Sequence, residues 1–248
     1  MACLWLTVLA TVSPAGHEAR AIDVVRPASS PANLAPAGRP ALVAQDGAAT
    51  SSLRGRVEIP HPTRDPDPRP DMTALGADMT YVPAERRQAV VYLETAPQAA
   101  FEKLAPEHAE MKQERERFVP HVLAIPVGSV VDFPNADPFF HNVVSLSKPR
   151  RFDLGRYPKG QSRAVRFDSP GVVQLFCDIH SHMSAFILVF AHRFFAVTDD
   201  QGRYQIDGVP PGRSVVVAWY EGRVRASREI VVPEGGSPVT VDFSFPGS

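Results

Sequence analysis

Apolar residues recur along most of this chain in short runs, broken by Gly, Pro, Asn and Asp. That is the pattern of strands rather than of helices. Residues 53–59, LRGRVEI, predict one strand, and residues 88–95, QAVVYLET, predict a second that is rich in β-branched side chains. Between them HPTRDPDPRPDMTALGAD, residues 61–78, reads as a Pro/Asp-rich loop. From residue 118 onward come FVPHVLAIPVGSVVDFPN, HNVVSLS, AVRFDSPGVVQLFC and SAFILVFAHRFFAVT. After residue 198 the turns DQG and VPPG separate further strands, ending in REIVV and VTVDFSF. The exception is 98–117, QAAFEKLAPEHAEMKQERER, whose composition predicts a short helix interrupted at Pro106. The whole pattern predicts an all-β protein built from sandwiches or barrels.

Composition sharpens this picture in two ways. The chain has 248 residues, enough for one large or two small domains, and 25 of them are proline, which disfavours long helices. A net charge of −1 with no basic block or stripe argues against a nucleic-acid partner. No internal repeat, heptad pattern or phosphate-cradling glycine loop is present.

The N-terminal run Ala2–Val12 is too short to span a bilayer, and Ala19-Arg20-Ala21 has the A-x-A form of a cleavage site. Residues 1–21 are therefore expected to be a secretory signal, and 22–51, rich in Ala and Pro, a flexible tether. The expected location is the periplasm, with no stable membrane insertion once the signal is removed. Cleavage would also remove Cys3, leaving Cys177 as the lone cysteine of the mature chain. A thiol without a disulfide partner in an oxidising compartment is a buried inert group, an intermolecular link or a metal ligand.

The neighbours of Cys177 favour the last. His180 and Met183 follow it at three and six residues, and His141 lies upstream after the apolar segment PVGSVVDFPN. A thiolate, two imidazoles and a thioether make a soft set suited to one copper ion, with methionine as a long axial ligand. Zinc prefers four strong ligands, and methionine is a poor one for it. His180 is the better ligand than His182, because a ligating His182 would turn the adjacent Met183 away. His182 is expected to be an exposed loop residue, and His121 and Met111 to be structural. Of Phe139 and Phe140, one is expected in an apolar patch near the metal and the other in the core.

These segments resemble the cupredoxins. Cys177-x-x-His180-x-x-Met183 has the ligand spacing of amicyanin, His141-Asn142-Val143 matches the family's upstream His-Asn segment, and FDSPGVVQLFC matches the strand leading to the cysteine. The resemblance covers roughly residues 108–190. It implies a Greek-key β-sandwich, a blue copper centre on His141, Cys177, His180 and Met183, and an Asn142 side chain that bridges the two ligand loops. The chain departs from amicyanin in having Asp178-Ile179 where that protein has Thr-Pro, and in the extra loop histidine His182. FDLG and the LFCDIH–HM loop are also similar to proteins labelled methylamine utilization protein.

The segment TDDQGRYQIDGVPPGRSVVVAWYEG is similar to the carboxypeptidase regulatory-like domain, a small β-sandwich. Such a domain opens with strands like LRGRVEI and QAVVYLET. The resemblance therefore implies a discontinuous second sandwich, 52–98 with 191–248, interrupted by a cupredoxin at 99–190. The alternative gives QAVVYLET to the cupredoxin and places a small sandwich after it.

The expected function is single-electron transfer without enzymatic turnover, with a periplasmic cytochrome or dehydrogenase as partner. Copper delivery or sensing is the alternative. A copper enzyme would need a second or open copper site, and His61, His108, His121, His182 and His192 form no evident second cluster.

Overall fold

The computed structural model describes residues 50–59, 88–95, 105–222 and 224–245. The expected signal at 1–21, the expected tether up to residue 49, the 61–78 loop and His61 lie outside these residues. The protein is all-β, with eighteen strands and no helix among the described residues. The chain begins with β1 (Ser51–Glu58) and β2 (Val90–Thr95). It continues through β3 (His108–Glu110), β4 (Lys112–Gln113), β5 (Phe118–Val119), β6 (Val122–Pro126) and β7 (Ser129–Pro134). Next come β8 (Val144–Ser145), β9 (Phe152–Asp153), β10 (Ser162–Phe167), β11 (Gly171–Phe176) and β12 (Ser184–Phe190). The last six are β13 (Phe195–Val197), β14 (Arg203–Val209), β15 (Gly212–Tyr220), β16 (Val224–Val232), β17 (Val239–Thr240) and β18 (Phe243–Ser244).

The helix expected over 98–117 does not form in the described part of that segment. His108–Glu110 pairs in parallel with Val130–Asp132 of β7, and Lys112–Gln113 pairs with Phe118–Val119. Met111 and Gln113 are fully buried while Lys112 between them is not, so the segment obeys a period of two. Pairing to β7 and burial of alternate residues outweigh the helical propensity of its Glu, Lys and Ala residues.

Two sheets, β10-β7-β3 and β6-β12-β11-β8-β9, enclose one apolar core. Val131, Phe133, Val165 and Phe167 enter it from the first sheet, and Ile125, Val173, Leu175, Ala185, Ile187 and Val189 from the second. Two further sheets, β14-β1-β17 with β18 also on β1, and β13-β2-β15-β16, enclose another core around Leu53, Val57, Leu93, Phe194, Ile206 and Phe243. β1 and β2 thus pair with strands that follow residue 194, across the ten strands in between. Gly55 lets β1 pass close to the chain at Val241: a Cβ there would lie 1.9 Å from the Val241 carbonyl oxygen.

The two layered units touch through a third cluster formed by Val90, Val122, Phe186, Leu188, Phe190 and Trp219. Phe186 meets Trp219 edge to face at 5.2 Å between ring centroids, a favoured aromatic geometry. β12 therefore buries both faces, Ala185, Ile187 and Val189 in one core and Phe186, Leu188 and Phe190 against the neighbouring unit. The unbroken apolar run SAFILVF is the sequence form of that double burial.

The passage between the two units, residues 191–194, carries a buried histidine. His192 Nδ1 accepts the Phe194 N–H at 3.2 Å, and the ring is also bonded to the Leu93 backbone. Burial holds its pKa below the ordinary histidine value, against the opposing effect of the Leu93 bond. Protonation at Nδ1 would remove the acceptor for Phe194 N–H. The unfolded chain, with an ordinary pKa near about 6.5, then binds more protons than the folded chain, so stability falls as pH drops below that value. Thermal melts from pH 7.5 to 5.5 should show this loss, and His192→Asn, which keeps a neutral acceptor, should flatten the profile. A variant profile parallel to the wild type would contradict this role.

Candidate metal centre

The register of three strands assembles the site. β11 and β12 form a hairpin with Phe176 opposite Ser184, so residues 177–183 are its loop. β8 pairs with β11 at Val144 opposite Phe176, which carries His141–Val143 alongside Cys177. The loop is closed by its own backbone: Met183 N–H donates to the His180 carbonyl at 3.0 Å, and Cys177 N–H donates to the Met183 carbonyl at 3.3 Å. His141 is held by a two-bond bridge to Tyr157, whose hydroxyl donates to the Phe133 carbonyl at 2.8 Å. Asn135 ties the approach to His141. Its amide donates to the Phe139 and Tyr157 carbonyls, and its oxygen accepts Asp137 N–H.

Three of the four expected ligands converge through their donor atoms. His141 Nδ1 lies 3.0 Å from His180 Nδ1, Cys177 Sγ lies 3.7 Å from His180 Nδ1, and Sγ lies 4.0 Å from His141 Nδ1. These separations put the point equidistant from the three atoms about 2.1 Å from each. Imidazole and thiolate bonds to a late first-row ion run to roughly 2.0–2.3 Å, so the donor set fits one such ion without rearrangement. His141 and Cys177 are buried, and His180 is half-buried at the edge of the set. Met183 is buried in the same apolar core as Cys177. Its backbone carries the loop-closing bonds.

The other side of His141 is occupied by a carboxylate. Asp137 Oδ2 lies 2.8 Å from His141 Nε2, with both side chains buried. Burial pushes the Asp137 pKa up, but hydrogen bonds from Glu116 N–H, the His141 ring and Arg115 N–H more than offset it, holding Asp137 below the usual carboxylate range. An ionised carboxylate only accepts, so a neutral His141 beside it carries its proton on Nε2 and leaves the Nδ1 lone pair to the centre. With His141 neutral in that tautomer, His180 Nδ1 is the donor across the 3.0 Å gap. A bound ion would take that proton's place, with His180 then protonated on Nε2.

Asp137 also anchors a turn. Glu114 and Arg117 exchange backbone hydrogen bonds around Arg115 and Glu116, which have φ of 55° and 54°. Such a two-residue turn favours Asn-Gly, and non-glycine residues are strained in it. Asp137 offsets the strain by accepting Arg115 N–H at 2.6 Å and Glu116 N–H at 2.9 Å. The Glu116 carboxylate in turn pairs with His182 of the ligand loop at 3.0 Å. His182 is about half exposed and stays out of the converging set, as expected.

Two expectations need revision. Phe139 and Phe140 are both exposed, so neither is a core residue. Both follow Pro138 in a loop, and Phe139 lays its ring against His141 and His180 at centroid distances of 5.3 and 5.7 Å. The Asn142 amide donates to Asp153 Oδ1 at 2.9 Å, and its own oxygen is buried without a partner. The link between the two ligand segments runs instead through Asp137, the 115–116 turn, Glu116 and His182. Neither Asp137 nor Glu116 stands out in the sequence pattern. The signal for the first was its place four residues before His141.

No family model matches the chain, and no curated protein matches it. Several solved structures are similar over part of it. A Cu-containing nitrite reductase (NirK) from Thermus scotoductus SA-01 is 30% identical over 35% of this chain and 23% of its own, with a TM-score of 0.33. The chain thus spans about a quarter of that reductase. A purple cupredoxin from Nitrosopumilus maritimus is 22% identical over 33% of this chain and 99% of its own, at a TM-score of 0.30. A reduced amicyanin variant is 17% identical over 40% of this chain and 98% of its own, at 0.32.

Met183 closes the loop through its backbone, and its side chain is buried in the core with Cys177. Met183→Leu conserves buried volume and should change stability by less than about 1.5 kcal/mol in denaturant titrations of metal-free protein. The copper-loaded variant should keep its metal and change its reduction potential. Loss of copper on this substitution alone would make Met183 a principal ligand.

Proposed function

We propose that this protein is a mononuclear copper carrier that exchanges single electrons with redox partners. The observation that carries the reading is the convergence of Cys177 Sγ with the Nδ1 atoms of His141 and His180, one half-buried histidine among two buried donors. Soft sulfur and imidazole together select copper, and Met183, buried in the same core as Cys177, would be the residue to supply a weak fourth donor. Copper held there would supply a one-electron change between Cu(I) and Cu(II).

The chain's own residues do the rest. Cys177, His141 and His180 hold their places before metal arrives, because strand pairing, loop closure and Asp137 fix each of them. That restraint suits both oxidation states and keeps reorganisation on electron transfer small. All four donors come from the protein, so the reading gives the metal no open position for a substrate. Phe139, Phe140 and Ile179 are exposed at the ligand end, and Phe139 packs on His180. This rim suits brief docking with a periplasmic partner such as a cytochrome or a dehydrogenase. Export by the 1–21 segment belongs to the same reading, and no described helix is long and apolar enough to cross a membrane.

The same proposal makes residues 99–190 a cupredoxin inserted in a discontinuous sandwich of 52–98 with 191–248, similar to a carboxypeptidase regulatory-like domain. The pairing of β1 and β2 with strands beyond residue 194 supports it.

Cu(II)-loaded protein should show intense thiolate-to-copper absorption in the visible. Cys177→Ser should abolish it while leaving the far-ultraviolet circular dichroism unchanged. An unchanged visible spectrum in that variant would refute the centre. Repeated electrochemical cycling should leave one copper per chain, whereas prompt release to a Cu(I) chelator on reduction would favour copper delivery.

A further inference from the structure

We propose that Asp137 is the positioning residue of this centre: it orients His141 and, through the Arg115–Glu116 turn, fastens the upstream ligand to the ligand loop. The inference rests on the copper reading for its effect on the metal, and on the metal-free geometry for everything else. One buried carboxylate accepts three hydrogen bonds, from His141 Nε2 at 2.8 Å, Arg115 N–H at 2.6 Å and Glu116 N–H at 2.9 Å. The first holds the imidazole with Nδ1 free to ligate. The other two hold a turn of positive-φ residues that has no glycine to relieve it. Glu116 on that turn reaches His182, between His180 and Met183. One side chain is therefore in contact with His141 and, at one remove, with the loop that bears the other three ligands.

The chemistry has a direction. A carboxylate hydrogen-bonded to a ligating imidazole increases the basicity of the ligand nitrogen, and such partners are typically worth ten- to hundredfold in metal affinity. Its negative charge favours the more highly charged ion, so through His141 Asp137 would stabilise bound Cu(II) more than bound Cu(I). Asparagine at 137 is close in shape but can donate as well as accept. It lets His141 invert its tautomer and present Nδ1–H to the centre. It also cannot accept all three hydrogen bonds as the carboxylate does.

The test has a metal-free arm and a copper arm. In metal-free wild type, nitrogen-15 NMR of the imidazoles should place the His141 proton on Nε2. In Asp137→Asn it should move wholly or partly to Nδ1. Competition titrations should then show Cu(II) affinity reduced tenfold or more in the variant and Cu(I) affinity reduced less, so that the reduction potential rises. Asp137→Glu should recover part of the Cu(II) affinity. A wild-type proton on Nδ1 would overturn the assignment, and that measurement decides even if Asp137→Asn does not fold. So would a folded Asp137→Asn protein with wild-type tautomer and unchanged affinity for both ions. Failure of the wild type to take up copper, with the His141 proton on Nε2, would sink the copper reading and leave the orienting role of Asp137 standing.

Discussion

Strand β12 starts at the residue after Met183 and is packed along both faces, with Ala185, Ile187 and Val189 in one core and Phe186, Leu188 and Phe190 in the contact with the neighbouring unit. A slip of one residue would drive the two phenylalanines into a space shaped for Ala and Val, and would empty the contact with Trp219. The register is therefore locked from both sides. That lock extends to the metal centre, because Phe176 opposite Ser184 defines where the 177–183 loop starts and stops. Each fully buried large apolar side chain contributes about 1.5–3 kcal/mol relative to exposure, so the six residues of the contact are a sizeable share of a small domain's stability. The second layered unit acts as a backing for the strand that carries the loop.

The centre adds an electrostatic constraint to this mechanical one. Two imidazole nitrogens stand 3.0 Å apart beside a buried sulfur. Without metal, that arrangement holds only if one nitrogen carries a proton and the other does not. Asp137 decides which, and it stays ionised because two backbone amides and an imidazole compensate its burial. The protein thus stores the donor geometry in hydrogen bonds that a bound metal would not need to break, apart from the single proton between the histidines.

Much of the fold could be read from the chain, and for physical reasons. Strands such as QAVVYLET and SAFILVF are apolar without alternation because both faces are buried, and no surface helix carries that pattern. The donors Cys177 and His180 are close in sequence, so their spacing alone suggested a shared centre. What escaped depends on distant contacts. The segment 105–117 has helical composition but is recruited by β7 as a parallel partner. Phe139 and Phe140 are large and apolar, yet the Pro138 loop turns both outward. Asp137 and Glu116 lie in ordinary polar surroundings in the sequence, and only the meeting of the 115–116 turn with the 137–141 loop makes them partners. Asn142 illustrates the converse: the motif was present, while its amide engages Asp153.

The placement of the second unit bears on how the centre meets other molecules. Its contacts fall on β6 and β12, through Val122, Phe186, Leu188 and Phe190, and near the β15 turn Glu221 lies 3.4 Å from His121. All of these lie on the flank of the unit that carries His141, Cys177 and His180. The ligand end is left uncovered by them, with Phe139, Phe140 and Ile179 exposed around the half-buried His180. A backing that stiffens β12 without closing over His180 meets two demands that usually conflict. The donors stay fixed in place, and His180, the half-buried member of the set, stays reachable from solvent. Had the second unit packed across the ligand end instead, the same rigidity would have covered His180.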